Sequence, residues 1–77
     1  MKCRDCGGER DRQNEDTARP DICSICWNVR GIVVKARMNG LMKPEDFTKY
    51  QRNGLRTKRL EKMGYDWIVQ DAKKENP

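Results

Sequence analysis

The clearest pattern in the chain begins at Ser24. Ile25, Val29, Ile32/Val33 and Ala36 fall at i, i+4, i+7/i+8 and i+11, a helical stripe that Asn39-Gly40 ends. Lys35 and Arg37 lie near the negative end of that helix dipole. Gly31 inside the stripe costs about 1 kcal/mol relative to Ala, and the β-branched run Ile32-Val33-Val34 leaves a strand as the competing reading. A second helix starts at Pro44-Glu45-Asp46, with proline in the first turn and two carboxylates at the positive end. Phe47 and Tyr50 share one of its faces and Asn53-Gly54 closes it. A third short helix is expected from Thr57 as N-cap through Met63, stopped by Gly64 and buried through Leu60 and Met63. Trp67, Ile68 and Val69 return apolar surface as an extended or helical segment, and residues 71–77 read as a frayed polar tail. Residues 9–19 contain almost nothing apolar and read as a solvated linker, with a recognition loop as the alternative.

The expected fold is small and mainly α: an N-terminal knuckle (residues 1–38, with its helix), a basic helical segment (39–70) packed on it, and the tail. The expected core is Trp27, Val29, Ile32, Val33, Leu41, Phe47, Tyr50, Leu55, Leu60, Met63, Trp67 and Ile68. Trp27 is expected to cover the cysteines, the alternative being a ring that stacks on a base. With 77 residues, 35% of them hydrophobic and 38% charged, such a core is thin. Domains of this size usually need a staple.

The staple is visible as two CxxC pairs, Cys3-Arg4-Asp5-Cys6 and Cys23-Ser24-Ile25-Cys26. Two such turns bring four thiolates to one ion at about 2.3 Å and close a tetrahedral zinc shell. Gly7-Gly8 leaves room for backbone N–H groups to turn towards the sulfurs. A disulfide pair, a dithiol redox centre and an iron–sulfur cluster are the rival readings. The first suits a secreted chain, but Met1-Lys2-Cys3-Arg4-Asp5 holds no apolar stretch that could act as a signal peptide. The second lacks its βαβ setting. Spacing alone does not separate zinc from iron–sulfur. The longest apolar run, Ile32-Val33-Val34, is far short of a membrane span, so a cytoplasmic protein with no membrane partner is expected.

Histidine is absent. Two-Cys-two-His fingers, His-metal nucleases and Ser-His or Cys-His couples are therefore excluded. With four cysteines on one ion, no position is open for a catalytic water, and no enzyme activity is expected.

Charge is divided along the chain. The total is +5, but residues 1–26 carry five basic and six acidic groups, and residues 27–77 carry twelve and six. Four thiolates on a divalent ion lower the total to about +3. Lys49, Arg52, Arg56, Lys58, Arg59 and Lys62 face a single acid, Glu61, between positions 49 and 62. Such density neutralises phosphates and makes binding salt-dependent. The plain alternative is a solvated basic face. Two short helices about a glycine-containing turn also allow a helix-turn-helix, although plain helical packing produces the same pattern.

Cys3-x-x-Cys6-Gly7 followed by Ala18-Arg19-Pro20-Asp21-Ile22-Cys23-x-x-Cys26 and a helix resembles the four-cysteine zinc finger of the DksA/TraR family, over residues 3–38. Members of that family are small bacterial, plasmid and phage regulators that bind RNA polymerase. The resemblance implies a finger type and a setting in transcription. In the family the finger follows a helical hairpin with acidic tip residues, whereas here it comes first and residues 39–77 are basic, so only the four cysteines carry over. The resulting expectation is a non-enzymatic zinc-binding regulator that contacts DNA or RNA through its basic helices. The alternative is a phage or mobile-element interaction module docking on an acidic protein surface such as that of RNA polymerase.

Overall fold

The computed structural model describes residues 2–8 and 21–75. The expected linker at 9–19 lies outside the described residues, as do the last two residues of the expected tail. Among the described residues there are four helices and no extended strand: α1 (Ser24–Met38), α2 (Pro44–Tyr50), α3 (Arg56–Lys62) and α4 (Asp66–Glu75). This is the small, mainly α architecture expected, with the cysteines gathered beside the start of α1.

α1 settles the competition between helix and strand. Its stripe pays out along the whole element: Cys26, Val29, Val33 and Ala36 are buried, with Ile25 and Ile32 packed at the margin. The turn after α1 satisfies carbonyls that the helix leaves open, since Gly40 N–H donates to Arg37 O and Leu41 N–H to Ala36 O. Gly40 adopts φ +75, which a Cβ would penalise. α2 starts as expected on Pro44 with Glu45 and Asp46 in its first turn.

α1 packs most extensively against α4, and α3 against both α2 and α4. The main core joins Val29, Val33, Ala36, Met42, Tyr50, Leu60, Ile68, Val69 and Ala72. A second cluster, Cys3, Ile22, Cys23 and Cys26, lies under the knuckle, and Ile25 packs against both. The Tyr65 hydroxyl donates to Asp46 Oδ2 at 2.6 Å and pins the start of α4 to that of α2. This bond raises the Tyr65 pKa.

Three expectations are corrected. Trp27, Leu41, Leu55 and Trp67 are exposed rather than core, and Met42, Val69, Ala72 and Ile22 hold buried positions instead. Large apolar residues are not obliged to lie inside, and a small domain lacks the volume to enclose them all. α3 begins at Arg56 behind a left-handed Leu55 (φ 50), and Thr57 is its second residue, not its N-cap. α4 continues to Glu75 with Ala72 fully buried, so residues 71–75 are helical rather than frayed.

Candidate metal centre

The first knuckle is built by backbone bonds that fold residues 3–8 back on themselves. Cys3 N–H donates to Gly8 O (2.6 Å) and Gly7 N–H to Cys3 O (2.9 Å), with Gly7 at φ +76. The second pair straddles the start of α1: Cys23 precedes the first helical residue and Cys26 lies in the first turn. Arg4 N–H donates to Asp21 O (2.9 Å) and joins the two pairs, with a longer exposed ion pair between Arg4 and Asp21 (3.7 Å) beside it.

All four cysteine sulfurs fall within 4.8 Å of one another. Around a single ion at about 2.3 Å, tetrahedral sulfurs stand about 3.8 Å apart, so a small contraction closes the shell. An iron–sulfur cluster places several metal and sulfide atoms between its ligands and needs them farther apart. The cysteines are free thiols with three of them buried. The donor set therefore fits one tetrahedral ion and is compatible with zinc.

Backbone and side-chain donors surround these sulfurs. Cys23 N–H reaches Cys3 Sγ at 3.3 Å. Burial works to raise the Cys3 pKa, but the amides of Cys23, Cys6 and Asp5 together outweigh it and hold the thiol below its ordinary value. The N–H groups aimed at Cys3 thus come from these residues, whereas the Gly7 amide serves a carbonyl. Burial pushes Cys23 up to about 11, and it pushes Cys26 well above the usual thiol range despite a hydrogen bond from Thr57.

Free thiols ordinarily titrate at about 8.5, so a metal must displace their protons at neutral pH whether or not the metal-free chain is folded. Affinity therefore follows pH with a defined sign. Protons compete with the ion, and binding weakens as pH falls. With at least two protons released, the apparent dissociation constant should weaken by about 100-fold or more per pH unit near neutrality. Competition titrations with a chromophoric chelator at several pH values measure that slope, and a flat profile would contradict this assignment of the ligands.

Three residues that the sequence did not connect with the cysteines hold the knuckle in the fold. Asp5, inside the first CxxC, is 1% exposed and accepts from both Arg30 Nε (2.8 Å) and Nη2 (3.1 Å) on α1. The bond to Asp5 raises the Arg30 pKa against the opposing effect of burial. Thr57 on α3 donates its hydroxyl to Cys26 Sγ at 3.1 Å. Two backbone bonds reinforce the same junction, Leu55 N–H to Arg4 O (2.8 Å) and Thr57 N–H to Asp5 O (3.0 Å). The start of α3 therefore rests directly on the first CxxC loop. No local pattern announces these partners, since Asp5 and Arg30 are 25 residues apart and Cys26 and Thr57 are 31 apart.

The six basic residues occupy different environments. Lys49, Arg52, Lys58 and Lys62 are exposed. Arg56 is half-buried with its guanidinium 5.8 Å from the centre of the Tyr50 ring, a cation–π distance. Arg59 is half-buried and donates to the carbonyls of Arg52 (3.0 Å) and Tyr50 (3.4 Å), closing the end of α2 onto α3. Lys58, Arg59 and Lys62 line a shallow groove of about 170 Å³ together with exposed Leu55. The Lys58 ammonium reaches the edge of the knuckle, 3.8 Å from where a Cβ on Gly7 would stand. Trp27 is 40% exposed and lines a groove with Arg30, Gly31 and Val34.

No family model matches the chain, and no curated protein or solved structure is significantly similar to it. The resemblance to the DksA/TraR finger thus rests on the four-cysteine pattern and its spacing alone. What sequence and geometry define together is a small helical protein whose four cysteines are gathered within metal-binding distance of one another. Among the described residues no helix is long and apolar enough to cross a membrane.

Proposed function

We propose that the ion is zinc in a purely structural role, and that the protein is a non-enzymatic module binding the phosphates of DNA or RNA through α3 and the end of α2. The observation that carries this reading is the groove lined by Leu55, Lys58, Arg59 and Lys62, whose helix is bonded to the metal loop. Four thiolates leave no coordination site for a substrate or water, which supports scaffold over catalyst. The division of labour among the cations refines the site. Arg59 is spent on carbonyls and Arg56 on the Tyr50 ring, so Lys58 and Lys62, extended by Lys49 and Arg52, supply the phosphate contacts.

Counterion release sets the test. Each phosphate contact contributes a slope of about −0.9 in log K against log salt on duplex DNA and about −0.7 on a single strand. The double variant Lys58→Ala/Lys62→Ala should lower the slope by about 1.4 to 1.8 and weaken binding at low salt. Lys73→Ala/Lys74→Ala, on α4, should leave the slope intact. Anisotropy titrations of labelled duplex DNA and single-stranded RNA over a salt series read both variants. An unchanged slope for the first would remove α3 as the binding face. Metal content measured on the purified protein checks zinc against iron.

A further inference from the structure

We infer that the outward face of α1 is a docking surface for an acidic, amphipathic helix of another protein. This goes beyond the nucleic-acid reading and uses a separate face of the molecule.

α1 is apolar on two sides. Its inner side supplies Val29, Val33 and Ala36 to the core. Its outer side carries Trp27, Gly31, Val34 and Met38, at spacings of four, three and four residues. These positions share one helix face. Trp27, Val34 and Met38 are all exposed, Met38 at 80%. The stripe runs about 16 Å along the helix, or about three turns.

Among the described residues nothing covers this face. Trp27, Arg30, Gly31 and Val34 line an open groove of about 360 Å³. A Cβ built on Gly31 would meet nothing within 4 Å. Glycine weakens the interior of a helix, and no close contact among the described residues requires it here. A second helix laid along the groove would use it, because a missing side chain lets two helix backbones approach closely. A stripe at alternating four- and three-residue spacing offers the ridge that packs into a facing helix.

Charge selects the kind of helix. α1 contains Arg30, Lys35 and Arg37 and no acidic residue. By helical position, Arg30 and Arg37 border one edge of the stripe and Lys35 the other. Arg30 is anchored to Asp5, while Lys35 and Arg37 are exposed. An apolar strip with a cationic rim complements a helix that presents Leu, Phe or Met between flanking Glu and Asp. The same rim disfavours a second copy seated α1 on α1, since like charges would meet across the seam.

The experiment is a selection from a display library of random peptides of about 16 residues, long enough to cover the stripe, against the metal-loaded protein. The expected winners are acidic helices with apolar residues at i, i+3 or i+4, and i+7. Their affinity should fall more than about tenfold for Val34→Glu/Met38→Glu, at unchanged helicity and metal content. If the double variant fails to fold, the single Met38→Glu change, at the most exposed of these positions, gives the same reading. Their amide shift perturbations should centre on Trp27, Gly31, Val34 and Met38. Selections that yield basic or non-helical peptides, or no enrichment over the variant, would overturn the proposal. So would dimerisation in sedimentation equilibrium that Val34→Glu abolishes, which would assign the face to a second copy. Duplex DNA whose own binding is lost in Val34→Glu/Met38→Glu would overturn it in favour of nucleic acid. Losing nucleic-acid binding with Lys58→Ala/Lys62→Ala while peptide binding persists separates this surface from the α3 groove.

Discussion

Removing the metal is expected to abolish the helical far-UV circular dichroism signal, not merely to lower the melting temperature. Binding at a four-cysteine structural zinc site is worth about 10–16 kcal/mol in small finger peptides near neutral pH. The net stability of a whole folded domain is about 5–15 kcal/mol. The metal is therefore comparable to everything else that holds this chain together. The structure gives that comparison a location. Cys3, Ile22, Cys23 and Cys26 are themselves a buried cluster, Cys26 lies in the first turn of α1, and Thr57 links its sulfur to α3. Without the ion, up to four thiols crowd together with nothing to bridge them, and the junction of α1 with α3 loses its centre. A strong chelator at neutral pH should leave a chain without cooperative thermal unfolding, and added zinc should restore it. Cys26→Ser should behave like the chelated protein even with zinc present. A metal-free protein that kept its helicity and melted within a few degrees of the loaded form would show that the helical core stands alone.

Local signals predicted much of this fold. The stripe from Ile25 to Ala36 with Asn39-Gly40 behind it, Pro44 ahead of two acids, and the stop at Gly64 each depend on neighbours within a few residues, and each element formed. The four cysteines were legible for a different reason. Thiolate chemistry and the two CxxC turns predict that these four cysteines gather in one place without any knowledge of the fold, and they do.

What remained hidden depends on contacts made across long stretches of chain. Thr57 has the composition of an N-cap, but its hydroxyl partner is a sulfur on another helix. α4 was obscured by its polar residues. Ala72 is fully buried in its later part, and one small residue among Asp71, Lys73 and Lys74 carries little hydrophobic signal. Trp27 and Leu55 were misplaced in the core because hydrophobicity reports a preference for burial and not which face of a helix receives a neighbour. Their exposure became informative only once α1 and α3 were positioned, since they then mark the two surface grooves.

Arg30→Met should produce the second large effect, about 3 kcal/mol of lost stability in the metal-loaded protein. For a domain of this size that corresponds to about 12–24 °C in melting temperature. The cause is the group left behind. Asp5 is 1% exposed and meets Arg30 through two hydrogen bonds, so truncating the arginine strands a carboxylate in the interior. The reverse change is milder. Arg30's side chain is 16% exposed, and a long guanidinium arm can still reach water, so Asp5→Asn should cost less than Arg30→Met. Combining the two should recover part of the loss, because neither charge then remains unpaired. The order of the two single variants and the sign of their coupling distinguish a buried ion pair from simple packing by the arginine stem. Urea denaturation of all three variants at saturating zinc reads both quantities. A loss below about 0.5 kcal/mol for Arg30→Met would place the pair with exposed salt bridges, which contribute about that much. Because Asp5 lies between two ligands, the same variants should also bind zinc more weakly, by about 10- to 100-fold, as disturbed outer-shell partners do. Stability and metal affinity would then fall together, since one ion pair ties the metal loop to the long helix.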